Sequence, residues 1–185
     1  MNLWKLPRKH TIGGTPYDLN TDYRDILEII EHLNNENEPE FIRWRIAVGL
    51  FYEQDVPENH LQEAMEYLAE FISAGTADKK PGPKLLDWNQ DAQMIVSGIN
   101  KVAGKEIRAV EYLHWWTFIS LFQEVGEGQL STIVSIRHKR ATGKKLEKWE
   151  QDYYKENRDK VDFQKTIDPE EEAVKAYFDK WLKGG

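Results

Sequence analysis

The chain of 185 residues contains no cysteine. That excludes a disulfide framework, a thiolate nucleophile and every cysteine-ligated zinc or iron–sulfur site, and it fits a reducing compartment. No apolar run approaches the roughly 20 residues a membrane-spanning helix needs, and the N-terminal stretch Met1 to His10 lacks the apolar core of a signal peptide. A soluble, cytoplasmic protein is expected. Net positive charge is also missing. At −7 overall, the chain has no basic excess with which to neutralise phosphate, so nucleic acid is not expected as the main partner. Motifs of common chemistries are absent as well. The nearest approach to a phosphate-binding loop, Gly98 to Glu106, has the wrong spacing and Glu in place of the hydroxyl, and there is no His-Glu-x-x-His pair or Gly-x-Ser-x-Gly elbow.

Aromatic residues, by contrast, are plentiful: seven Trp, eight Tyr and seven Phe stand in a chain of which 31% is charged. A chain of this length and composition folds around a substantial core with a well-solvated exterior. The densest apolar stretch is Tyr-Leu-His-Trp-Trp (112 to 116) continuing through Phe118, Ile119, Leu121 and Phe122. A helix apolar on nearly every side must be covered all round, so Leu113, His114, Trp115, Trp116, Phe118, Leu121 and Phe122, together with Trp88, are the expected core.

Periodicity predicts a mainly α protein of seven or eight helices, a multi-helix globular bundle with a small N-terminal β-hairpin over 9 to 20. Thr11 and Ile12, then Gly13-Gly14, then Tyr17 and Leu19 read as strand, turn and strand. Helical spacing begins near Thr21, with Tyr23, Ile26, Leu27, Ile30 and Leu33 on one face, and ends at Asn34. Pro39 opens a second helix to about Tyr52 and Pro57 a third that stops at Gly75. Residues 75 to 84, rich in Gly, Pro and Lys, read as an exposed loop. Asp87 with Gln90 resembles a capping box for a fourth helix whose buried stripe is Trp88, Ala92, Ile95, Ile99 and Val102. The fifth runs from Glu111 to Val125, and the sixth from an N-cap at Ser131 to Gly143. Lys144 to Arg158 reads as a solvated, charged helix. Asp168-Pro169-Glu170-Glu171-Glu172 is a strong helix start, after which Ala173, Val174, Tyr177, Phe178, Trp181 and Leu182 share one face. Residues 1 to 143 form the expected helical domain. Residues 144 to 185 are appended to it or packed on it.

Three groups of residues raise a question of chemistry. Glu111 and His114 have the i, i+3 spacing that places two ligands on one helix face in di-iron bundles, but the second such pair and the two further glutamates are missing. His114 therefore reads first as a hydrogen-bonded structural histidine, and no catalytic residue, metal ligand or cofactor is expected. Between Arg137 and Lys148 six basic residues stand against a single glutamate, a solvated or acid-paired face, or a protein-binding surface carried by Arg137, Lys139 and Arg140, or, least of the three, a nucleic-acid contact, for which interleaved aromatics are missing. The C-terminal stripe Tyr177, Phe178, Trp181 and Leu182 is ordinary core or a docking face.

Asp-Trp-Asn-Gln-Asp-Ala (87 to 92), Tyr-Leu-His-Trp-Trp-x-Phe (112 to 118) with Leu121-Phe122, and Ile-Val-Ser-Ile-Arg (133 to 137) together resemble the bacteriophage "gene product fifteen" family of tailed phages and prophages. The resemblance runs from about Tyr17 to Arg140, with Tyr-Asp-Leu-Asn-Thr-Asp-Tyr-Arg (17 to 24) similar to the family's opening. In such phages the gene typically lies between those of the major tail protein and the tape measure protein. The resemblance implies a non-enzymatic tail assembly chaperone that self-associates and keeps the tape measure protein soluble until tail-tube subunits displace it, with the major tail protein as a further possible partner. A virion structural component, such as a tail or head-tail connector subunit, is the alternative. A small metal-dependent enzyme using Glu111 and His114 is the remote one.

Overall fold

The computed structural model describes residues 4–74 and 82–164. The described chain is mainly helical, with one small hairpin at its N-terminal end. Strand β1 (Lys9–Ile12) pairs antiparallel with β2 (Thr15–Asp18), with Ile12 opposite Thr15 and Lys9 opposite Asp18. Gly13 and Gly14 make the turn with φ of 54° and 85°. Two consecutive positive φ values define the tight hairpin turn that matches strand twist and that favours glycine at both positions. At Gly13 a side chain is also excluded by space, since a Cβ there would lie 2.2 Å from the His60 ring. Ile12 and Tyr17 face inward and are buried.

Eight α-helices follow among the described residues: α1 (Tyr23–Asn34), α2 (Glu40–Phe51), α3 (Leu61–Ile72), α4 (Ala92–Ala103), α5 (Trp115–Gln123), α6 (Gln129–Ala141), α7 (Lys148–Glu156) and α8 (Arg158–Val161). Helices α1 and α2 pack as an antiparallel pair, α3 leans on α2, and α4 packs on both α5 and α6. The expected C-terminal helix over 168 to 182, with its stripe Tyr177, Phe178, Trp181 and Leu182, lies outside the described residues, as does most of the loop from 75. The single-turn α8 was not foreseen.

The two indoles explain why adjacent tryptophans stand in one helix. Trp115 Nε1 donates to the Ile72 carbonyl at 2.9 Å and Trp116 Nε1 to the Phe71 carbonyl at 3.0 Å. The last carbonyls of a helix have no intrahelical donor, so the pair completes the end of α3 while burying two large rings, 1% and 6% exposed. Around them Phe71 lies 5.6 Å from Trp116, Phe118 stacks on Tyr23 at 4.7 Å, and Trp88 meets Phe122 at 5.3 Å. Phe118 and His114 are buried, while Trp88, Leu113, Leu121 and Phe122 are half-buried against the same core.

Helix α5 starts four residues later than its apolar pattern suggests. His114 is its N-cap, its Nδ1 accepting from the Trp116 N–H at 3.1 Å. Glu111 to Leu113 are non-helical instead, because the segment is tied to the first helix: Tyr23 N–H donates to the Leu113 carbonyl and Trp115 N–H to the Thr21 carbonyl. Asp22 caps α1 at Arg24 N–H and also accepts from Leu113 N–H at 2.9 Å. The stretches 17 to 24 and 112 to 116 are thus held to each other directly. Helix α6 begins at Gln129, not Ser131. Ser131 sits one turn in, where its hydroxyl accepts from Gly128 N–H at 2.9 Å. Asp87 does cap a turn, accepting from Asn89 and Gln90 N–H, but α4 itself begins only at Ala92.

Candidate docking surfaces

Along one side of α4 runs a groove of about 590 Å³, closed on its other side by the segment that joins α5 to α6. Its apolar lining comes from Met94, Val102, Val125 and Leu130, and its polar lining from Gln93, Ser97, Lys101, Glu124, Glu127 and Gln129. Val102 was expected in the buried stripe of this helix but is 39% exposed. It faces the groove, and among the described residues no element covers it there. Glycines make the groove possible. At Gly98, midway along α4, a Cβ would stand 2.6 Å from Val125 Cγ1, so the helix and the α5–α6 segment approach at this point as only glycine allows. Gly126 and Gly128 keep the facing wall low. A volume of this size and mixed lining is typical of sites that receive a large ligand or a side-chain cluster. The sequence carried a hint of it in the mid-helix glycine, a residue that costs about 1 kcal/mol against alanine there and is kept for packing or function.

A second apolar feature is the first turn of α2, where Phe41 and Ile42 are 63% and 42% exposed. Trp149 on α7 is also more than half exposed.

The basic segment is not the surface its composition suggests. Arg137 is 4% exposed and uses all five guanidinium N–H groups inside the protein. Nε donates to the Val161 carbonyl at 2.8 Å. One terminal nitrogen donates to the Leu85 carbonyl and Asp91 Oδ2, the other to Asp91 Oδ1 and the Lys160 carbonyl. Asp91 is fully buried and accepts in addition from Asp87 N–H at 2.9 Å. Phe163 covers the outer side of the guanidinium with its ring centroid 4.2 Å away. Arg137 therefore fastens the start of α4, the segment before it and the end of α8 to α6. It is a bidentate buried pair of the geometry that suits arginine and not lysine.

Lys139 and Arg140 are paired as well. Lys139 Nζ bonds both oxygens of Glu150 at 2.7 and 2.8 Å, and Glu150 is 1% exposed. The ammonium group, with a further hydrogen bond from Glu147 N–H, holds the Glu150 carboxyl below its ordinary value. Arg140 pairs with Asp162, which also accepts from the Tyr154 hydroxyl. Burial pushes Asp162 up, but Arg140 and Tyr154 outweigh it and the net shift is downward. Of the three proposed partner-binding cations, Arg137 is corrected to a core residue, and Lys139 and Arg140 are committed to acids of the same chain. The charged region after Lys144 is correspondingly less solvated than its sequence reads: Glu150 is buried, and Val161 packs with Ile133 and Ile136.

Glu111 and His114 do not share a helix face, since α5 begins only after His114. The His114 ring is committed at both nitrogens. Nδ1 accepts from Trp116 N–H, so the proton is on Nε2, which donates to the Pro7 carbonyl at 3.0 Å. Burial pulls its pKa down, the Pro7 bond opposes this, and Arg8 adds to it, leaving a net lowering. His114 is thus a neutral structural residue linking the N-terminal segment to α5. Among the described residues no group of three or more His, Cys, Asp or Glu is arranged to hold a metal ion, and no helix is long and apolar enough to cross a membrane.

Compared with known families, residues 4–163 match the family described as Bacteriophage Gp15 protein. The match extends beyond the stretch from Tyr17 to Arg140 on both sides and takes in α7 and α8, in keeping with their packing on α6. No curated protein matches the chain. No solved structure matches it either.

Proposed function

The chain belongs to the bacteriophage Gp15 protein family, and from that premise we propose that it is a non-enzymatic tail assembly chaperone, which binds the tape measure protein and keeps it soluble in the host cytoplasm while the tail tube forms. The observation that carries this reading is the open groove beside α4. A tape measure protein is a long helical molecule with apolar stripes that remain uncovered until the tube encloses them. A groove with an apolar floor and both charge signs on its rim is the feature of this molecule suited to an amphipathic helix presenting residues at i, i+3, i+4 and i+7. Binding of modest strength at many such sites is what a displaceable coat requires, because the final partner must win by mass action and by better pairing. The exposed first turn of α2 adds apolar surface for contacts between neighbouring copies.

Co-expression with the tape measure protein encoded by the same phage tests this. Size exclusion with light scattering is expected to show one large complex containing many copies of this chain per tape measure. A tape measure protein that stays equally insoluble with and without the chain would defeat the reading. Mass spectrometry of purified particles is expected to show the chain depleted from mature virions, and retention at stoichiometric level would make it a virion component instead.

A further inference from the structure

We infer that the exposed face of α2 pairs with the same face of a second copy of this chain, the two helices crossing antiparallel about a twofold axis at Gly49. Three observations lead there. First, α2 carries apolar side chains on every side, and such a helix must be covered all round. Its inner side is covered, with Ala47, Val48 and Phe51 buried. Its outer side is not. Phe41, Ile42, Arg45 and Gly49, at steps of three and four, are all exposed, and Ile46 beside them is half-buried.

Second, nothing inside the chain accounts for Gly49. It is helical, where glycine weakens the element, and it has no positive φ that would require it. Gly98 is explained by the approach of Val125, but a Cβ at Gly49 would meet no atom within 4 Å. A glycine on an exposed stripe beside apolar side chains leaves room for another backbone to come close. About a twofold axis that backbone is its own copy.

Third, the charges of this face are complementary to themselves. A twofold contact brings residue i of one copy to residue j of the other, and j to i. With the axis at Gly49, Arg45 on one side of it meets the partner's Glu53 on the other, and the pair forms twice. Within the described chain neither side chain has an ion pair or a hydrogen bond. Glu53 lines, with Asp18 and Asp25, a cleft of about 320 Å³ in which Arg8 is the one cation among the described residues. Burial, with Asp22 and Glu28, raises the Asp25 carboxyl against the opposing Arg24. This end of α2 is therefore short of positive charge, which the partner's Arg45 supplies. The same register lays Phe41 and Ile42 over the partner's segment 54 to 57, where Pro57 is exposed. One helix face buries less than the roughly 800 Å² per partner of a standard interface, so a dimer of micromolar strength is expected. The pairing does not depend on the chaperone reading.

Sedimentation equilibrium of the full chain alone, from about 1 µM to about 1 mM, tests the inference and is expected to show a monomer–dimer equilibrium. Gly49→Gln puts a better helix former where it meets no atom of its own chain. It is expected to keep or raise the melting temperature while weakening the dimer at least tenfold. Arg45→Glu and Glu53→Arg each set like charges against one another across the axis and should each weaken the dimer about fivefold or more. The two combined restore opposite charges and should return the dimer to within about twofold of the parent. A chain that stays monomeric over the whole range would overturn the inference. So would a Gly49→Gln chain that dimerises as tightly as the parent, or a charge exchange that restores nothing. A dimer with these properties in a chain that fails to capture the tape measure protein would uphold the inference and defeat the chaperone reading alone.

Discussion

Replacing Arg137 with methionine removes a positive charge from a site where only 4% of the residue is exposed, and the consequences can be followed atom by atom. The Asp91 carboxylate, fully buried, loses both of its guanidinium bonds and keeps only the Asp87 N–H. The carbonyls of Leu85, Lys160 and Val161 lose a donor at the same time. Removing one partner of a buried ion pair costs about 3 to 5 kcal/mol, most of it from the charge left behind. At about 2 to 4 °C per kcal/mol for a chain of this size, Arg137→Met should lower the melting temperature by about 6 to 20 °C in a calorimetric or circular-dichroism scan. Arg137→Lys should recover little, since an ammonium group cannot span the two carboxylate oxygens and the three carbonyls together. The double variant Asp91→Leu with Arg137→Met is the discriminating member. With both charges gone, its loss should fall short of the sum of the single losses by about 1 to 3 kcal/mol. A single variant that melts within about 2 °C of the parent, or strict additivity in the cycle, would refute the claim that Arg137 is a buried fastener.

Trp115→Ala and Trp116→Ala should each cost about 3 to 5 kcal/mol in urea unfolding, because each removes a buried ring and an indole donor at the end of α3, although the Phe71 carbonyl keeps the Ala74 N–H. His114 is neutral in the folded protein with its pKa lowered, chiefly by burial, so the unfolded chain binds a proton that the folded chain resists. Stability should therefore be full above about pH 6.5 and fall as the pH drops below that, with His10, also lowered by burial, contributing in the same direction. His114→Asn, which keeps a capping acceptor for Trp116 N–H, should flatten part of this slope in melting temperature measured from pH 7.5 to 5. Glu150, held low by Lys139, adds a loss that appears only as the pH falls below the ordinary glutamate range, and Lys139→Met should remove it. Val102→Glu, at an exposed position in the groove, should leave folding intact and weaken capture of the tape measure protein by about tenfold or more, equivalent to about 1.4 kcal/mol. Unchanged capture would move the contact away from the groove.

Much of the fold was legible in the sequence because the determinants were local. The Gly13-Gly14 turn, the spacing of Tyr23, Ile26, Leu27, Ile30 and Leu33 on α1 and the prolines before α2 and α3 each specify an element from within a few residues. The helix that opens near the tryptophans was legible in kind but not in its start. The residues expected to open it are held out of the helix by Thr21, Asp22 and Tyr23, about ninety positions away in the chain. No local pattern can report a competition of that range. The same holds for Val102, whose place in the apolar stripe was correct as periodicity. What periodicity cannot show is that the neighbouring segment, with Gly126 and Gly128, leaves that part of the stripe open.

The basic segment shows the same limit in its electrostatic form. Counted along the chain, Arg137, Lys139 and Arg140 read as a concentration of positive charge, and attraction falls off with distance in space, not in sequence. Their acids stand at Asp91, Glu150 and Asp162, one of them 46 positions away at the cap of another helix. Two of the three acids are buried, and an unpaired buried carboxylate would be so costly that the pairing is in effect obligatory. A cation committed to a buried acid cannot also be offered to a partner without uncovering that acid. The positive charge that remains for steering belongs to exposed residues after the helix, such as Lys144 and Lys145, whose field is screened beyond about 8 Å at physiological salt. Recognition on this molecule is thus expected to depend on apolar shape more than on charge. Raising the salt from 0.05 to 0.5 M should change partner affinity by less than about threefold, whereas a steep salt dependence would return the basic segment to the binding surface.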